Sequence, residues 1–118
     1  MTPLLIQKGA TMNKANYFIS KVKGFEAVKG YTFDVVYGEE KYKFGVRNDP
    51  DHKWCIDFID NGCSVTTDNK TKAEAMASIT YELMDKLESV LDNPNHIKRV
   101  AMLTEFKASH AFELAEVI

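Results

Sequence analysis

Cysteine is scarce: there are two, Cys55 and Cys63, in 118 residues. That excludes a disulfide-stapled scaffold and points to a reducing cytoplasm. Long apolar runs are missing too, none approaching the roughly 20 residues that cross a bilayer. The start, Met1-Thr2-Pro3-Leu4-Leu5-Ile6, has no basic segment and no extended apolar stretch, so it does not read as a secretion signal. Charge of one sign is not in excess. Fifteen basic and 17 acidic side chains leave a net charge of −2. That balance draws neither a phosphate backbone nor an anionic membrane to the surface as a whole, and it disfavours nucleic acid as a partner. There is no phosphate-loop or dinucleotide fingerprint, and no G-x-S-x-G, C-x-x-C or H-E-x-x-H motif. No cofactor is implied.

What is present suits one small α+β domain. The hydrophobic share is 45%, and a chain this long can bury about two-thirds of its unfolded surface without staples. Asn13 to Gly24 (NKANYFISKVKG) predicts a short helix with Asn13 as N-cap and Gly24 at the C′ position. A strand is its alternative, because Tyr17, Phe18, Ile19 and Val22 also favour sheets. Tyr31–Tyr37 and Lys41–Val46 alternate as strands around a Gly38-Glu39-Glu40 turn. Trp54–Phe58 follows the Asn48-Asp49-Pro50-Asp51 turn, and Asn61-Gly62 leads into a short strand over Cys63–Thr67. The expected sheet is an antiparallel meander of three to four strands.

Two carboxy-terminal helices are expected to pack on one face of that sheet. Thr71 and Glu74 form a capping box, and Met76, Ile79, Leu83, Leu87 and Val90 step along one helical stripe, with Glu82 and Lys86 pairing outside. Asn93-Pro94 ends that helix and starts the last one. On the last helix Ile97, Ala101, Thr104, Ala108, Ala111 and Ala115 make a face of mostly small residues, suited to close approach to the sheet or the preceding helix. Met102, Leu103, Phe106 and Leu114 then fall off that face.

Those four residues carry the leading functional expectation. They form an apolar patch through which a non-enzymatic module binds a protein partner or a second copy of itself. The alternative is nucleic-acid or anion binding through Lys70, Lys72, Arg99 and Lys107. His96 and His110 lie on the same helix side as Arg99 and Lys107, read as a solvated basic edge. The order helix, strands, helix resembles the double-stranded-RNA-binding domain, whose closing helix opens with lysines that grip phosphates. Lys70 and Lys72 in NKTKAEA occupy that place, with Glu74 where the pattern wants a base. The stretch Trp54–Ala75 resembles the antitoxin half of bacterial toxin–antitoxin pairs.

A small enzyme using His52 with Asp49 or Asp51 is the third reading, with no orienting partner visible for the histidine. His52, Cys55 and Cys63 are close in sequence but do not converge on a metal. A two-residue turn at Asn61-Gly62 puts the thiols on opposite faces. A three-residue turn leaves them some 13 Å apart, against the roughly 4.4–6.8 Å between Cα atoms that a disulfide needs. Lastly, Lys8-Gly9-Ala10 can encode a bacterial ribosome-binding sequence just before Met12. Residues 1–11 then read as translated leader and 12–118 as the domain, from a bacterial or phage gene for an accessory or host-takeover factor.

Overall fold

A computed structural model describes residues 6–8 and 12–116 of the chain. Six strands form one antiparallel sheet: β1 (Ile6–Lys8), β2 (Asn13–Lys21), β3 (Gly24–Tyr37), β4 (Glu40–Asp49), β5 (Lys53–Phe58) and β6 (Ser64–Asn69). Four helices follow among the described residues: α1 (Lys72–Ala77), α2 (Tyr81–Val90), α3 (Pro94–His110) and α4 (Phe112–Glu116). The α+β class stands, with more strands and helices than the sequence foretold. Of the leader reading, Met1, Gly9 and Ala10 lie outside the described residues, whereas Ile6–Lys8 pairs with Tyr37–Val35.

The expected amino-terminal helix is a strand. β2 and the first part of β3 form a hairpin closed at Lys21↔Gly24, with Val22 fully exposed at its tip and Gly24 at φ 133°. The physical reason is burial. Tyr17, Phe18 and Ile19 are buried in succession, which a strand covered on both faces achieves and a surface helix does not. The helix-first order of the double-stranded-RNA-binding domain is thereby lost.

β3 is the organising strand. Gly24–Thr32 pairs with β2, Val35–Tyr37 pairs with β1 on the same side, and Tyr31–Tyr37 pairs with β4 on the other. The β3–β4 ladder ends at Tyr31↔Val46; from there β3 is paired only with β2, and Arg47–Asp49 of β4 only with β5. The sheet forks there, and the β2–β3 arm leaves the plane. A Cβ at Gly30 would lie 2.5 Å from the Val46 carbonyl oxygen, so only glycine fits where the fork opens.

One face of the sheet carries the main core. Phe33, Val35, Tyr42, Phe44, Val46, Ile56 and Phe58 meet Ala75 of α1, Ile79 of the link between the helices, and Met84 and Leu87 of α2. Thr71 caps α1 by accepting from Glu74 N–H at 3.0 Å, and Glu74 reaches back past the cap to accept from Lys70 N–H at 2.9 Å. The single helix expected beyond it is interrupted. Ser78 ends α1, its hydroxyl 2.8 Å from that of Thr66, and Thr80 caps α2 by accepting from Leu83 N–H. This break redirects the stripe, burying Met84 and leaving Val90 exposed.

The second core joins the arm to α3. Phe106 stands edge-on to Phe18 at 5.0 Å and 5.1 Å from Phe25, and Leu103 is fully buried. The small-residue face is therefore the outer one: Ile97, Ala101, Thr104 and Ala108 are all exposed. Large rings fill the gap to the arm where small side chains would leave it empty.

A basic cleft at the fork of the sheet

Pairing places Lys14, Asn16, Lys29, Tyr31, Asn48 and Trp54 on one face of the sheet. Lys14 pairs with Tyr31 and Asn16 with Lys29, while Asn48 pairs with Trp54 across the divergence. These six line a cleft of about 460 Å³, to which Arg47 also contributes. Tyr31 and Trp54 are half-buried and pack against the main core. Lys72, from the first turn of α1, sits with its Nζ 4.4 Å from the centre of the Tyr31 ring, a cation–π contact at the cleft's rim. Among the described residues that line the cleft there is no carboxylate.

Behind the cleft a buried polar network pins the arm. Tyr17 donates its hydroxyl to Asp57 at 2.7 Å, and Ser64 donates to the same carboxylate at 2.6 Å. Arg47 donates through Nε to Asp57 at 2.8 Å and through Nη1 to Asp49 at 2.5 Å. Arg47 and Asp57 are diagonal neighbours on β4 and β5, which brings their side chains within reach. Gly45 makes room for the tyrosine, since a Cβ there would stand 2.5 Å from Tyr17 Cζ.

The electrostatics follow from this packing. Burial and the adjoining Asp57 charge push the Tyr17 hydroxyl well above the usual phenol range. Burial alone would lower the Arg47 value, but Asp57 outweighs it and holds the guanidinium charged. Burial raises the Asp49 carboxyl less than the Asp51 N–H, Arg47 and the His52 N–H lower it, so it stays below the ordinary carboxylate range. Burial pushes the Cys55 thiol up, although Arg47 opposes. Cys55 is buried, Cys63 half-buried, and both are free. The turn between them leaves four residues from Ile59 to Gly62, bounded by Phe58 N–H donating to Cys63 O at 2.8 Å, longer than either loop the sequence suggested.

The sequence-predicted residues scatter. Leu103 and Phe106 are spent in the second core, so Phe106→Glu would set a carboxylate against two phenyl rings. Met102 is 42% exposed and Leu114 half-buried. The Leu114 carbonyl accepts from the Asn16 side chain, tying α4 to the arm. Of the basic set, only Lys72 reaches the cleft. Lys70 is exposed beyond it, and Arg99 stands 5.9 Å from the Phe25 ring. The supposed solvated edge of α3 is its packed side. His96 stacks on Phe58 and lies 3.1 Å from the Asn61 amide, and His110 stacks on Phe106 at 4.0 Å. His52 is exposed, its ring 3.8 Å from Asp68, while Asp49 is engaged by Arg47 and by its own turn.

Sequence reasoning missed Lys14, Lys29, Tyr31 and Trp54 as a group, because only the fork unites them. Alternation within each strand did place Tyr31 and Trp54 on the same side as the core. No helix among the described residues is long and apolar enough to cross a membrane. Compared with known proteins, the chain matches no family model, no curated protein and no solved structure.

Proposed function

We propose that this protein is a non-enzymatic nucleic-acid-binding domain that takes its ligand in the cleft at the sheet fork. One observation carries the reading: Lys14, Lys29 and Lys72 converge with Tyr31 and Trp54 at a cleft that has no carboxylate among its described lining residues. A net charge of −2 does not weigh against this, since a local cluster of one sign on low-dielectric walls sets the field a ligand meets. Lysines supply phosphate contacts and an aromatic ring supplies stacking, the two ingredients of such sites. Three phosphate contacts to a single strand predict that log affinity falls with log salt at a slope of about −2. Anisotropy of a labelled oligonucleotide between low and moderate salt measures it. Charge reversal at Lys14 and Lys29 together should weaken binding at least tenfold; unchanged affinity in that variant defeats the reading.

A second reading keeps protein contact, on a different surface. Ile97 and Met102 on α3 and Phe112 on α4 are large apolar side chains left 56%, 42% and 59% exposed. The occupant is a second copy of the chain. Antiparallel pairing of two α3 helices sets Ile97 against Ala108 of the other copy and brings Lys98 near its Glu105, a self-complementary arrangement. Light scattering of Ile97→Glu tests it: a dimer should become a monomer, and a chain already monomeric at high micromolar concentration rules the pairing out.

A further inference from the structure

We infer that the cleft accepts an unpaired nucleobase, and that the ligand is single-stranded and not duplex; this rests on the nucleic-acid reading above. The cleft is concave and about 460 Å³, within the range of small-ligand pockets and so on the scale of one nucleotide. A duplex keeps its base faces stacked on one another and offers a protein its backbone and groove edges. Against such a ligand the half-buried Trp54 ring that lines the cleft has no use. An unstacked base can lie against Trp54, beside the Tyr31 ring that Lys72 covers, while Lys14, Lys29 and Lys72 around it meet the phosphates on either side. Asn48 is exposed on the same face, and its amide carries both donors and an acceptor for a base edge. Of the carboxylates behind the cleft, Asp57 is fully buried and Asp49 is bound to Arg47.

Trp54 is the sole tryptophan, so emission from the full-length chain reports directly on the cleft. Titrations would use ten-nucleotide oligothymidine, ten-nucleotide oligouridine and a ten-base-pair duplex. Either single strand should quench Trp54 and bind at least tenfold more tightly than the duplex, and the two strands together tell deoxyribose from ribose preference. Trp54→Ala, followed with a labelled strand, should bind about tenfold more weakly, as expected for loss of one stacked base, and Trp54→Phe should restore most of that. Trp54 also touches the core, so circular dichroism accompanies these variants. Asn48→Asp, exposed and outside the core, supplies an independent probe by placing a carboxylate in the cleft, and it too should weaken single-strand binding about tenfold. A duplex bound as tightly as the strands overturns the inference while leaving nucleic-acid binding standing. So does strand binding that leaves Trp54 emission unchanged, or undiminished affinity in Asn48→Asp. No binding of any oligonucleotide removes both readings.

Discussion

Asp57 sits at an outward position of β5 by simple alternation, yet it is fully buried, because the arm folds over that face and brings Tyr17 to it. Alternation tells which side of a strand a residue occupies, not what later covers that side. This is why the polar network is illegible in the sequence, while the alternation of Trp54, Ile56 and Phe58 with Cys55 and Asp57 is plain. Tyr17→Phe should cost about 1.5–3 kcal/mol in urea unfolding, the range for a buried hydrogen bond to a charged group. Gly45→Ala should destabilise the native chain by displacing the Tyr17 ring, but cost much less in a Tyr17→Ala background. Additive costs in that double-mutant cycle would show that the ring and the glycine do not share the space. Asp49 gives a pH dependence. Its carboxyl is lowered in the fold, so its contribution is fully present above the ordinary carboxylate range near pH 4 and is lost as pH falls through the lowered value. Asp49→Asn should flatten the acid limb of the stability curve and leave its slope above pH 6 unchanged.

At the scale of elements, local chemistry was legible wherever it is self-contained. The Gly38-Glu39 hairpin, the Thr71/Glu74 cap, the Asn93-Pro94 helix start and the Glu82–Lys86 pair at 3.3 Å all stand where their signals lie. What failed depended on tertiary partners. NKANYFISK holds both helix and strand signals, and the deciding term is a sheet edge and an aromatic helix face supplied by residues far along the chain. The break between α1 and α2 was hidden because Met76, Ile79 and Leu83 continue the helical period across it. Its signal was Ser78 and Thr80, two hydroxyl residues suited to caps. Thr80→Ala should lower stability by about 1 kcal/mol through loss of the bond to Leu83 N–H, seen as a lower thermal midpoint. Gly62 is held at φ 70°, and a Cβ there would come 2.9 Å from the Ser20 nitrogen. Gly62→Ala should therefore cost more than a turn alone implies, since the same turn accepts Ser20 N–H at 2.7 Å and so fastens the arm.

For the whole molecule, the division into two cores ties stability to the cleft. The main core joins the sheet to α1 and α2, and the second joins the arm to α3 through Phe106, Phe18, Phe25 and buried Leu103. The arm brings Lys14, Asn16 and Lys29 to the cleft; the main sheet brings Asn48 and Trp54. Docking of the arm thus sets the width of the site, although Phe106 is no part of it. Phe106→Ala should open the second core and leave the first intact. Hydrogen exchange would then quicken in Tyr17–Ser20 and along α3, while Phe44, Ile56 and Met84 keep their protection. Oligonucleotide affinity should fall in the same variant, because a loosened arm must be ordered again on binding. Phe106→Leu, which refills most of the apolar volume, should recover both protection and affinity. Loss of protection without loss of affinity would mean that the ligand does not span the fork, and that the lysines of the arm take no part in holding it.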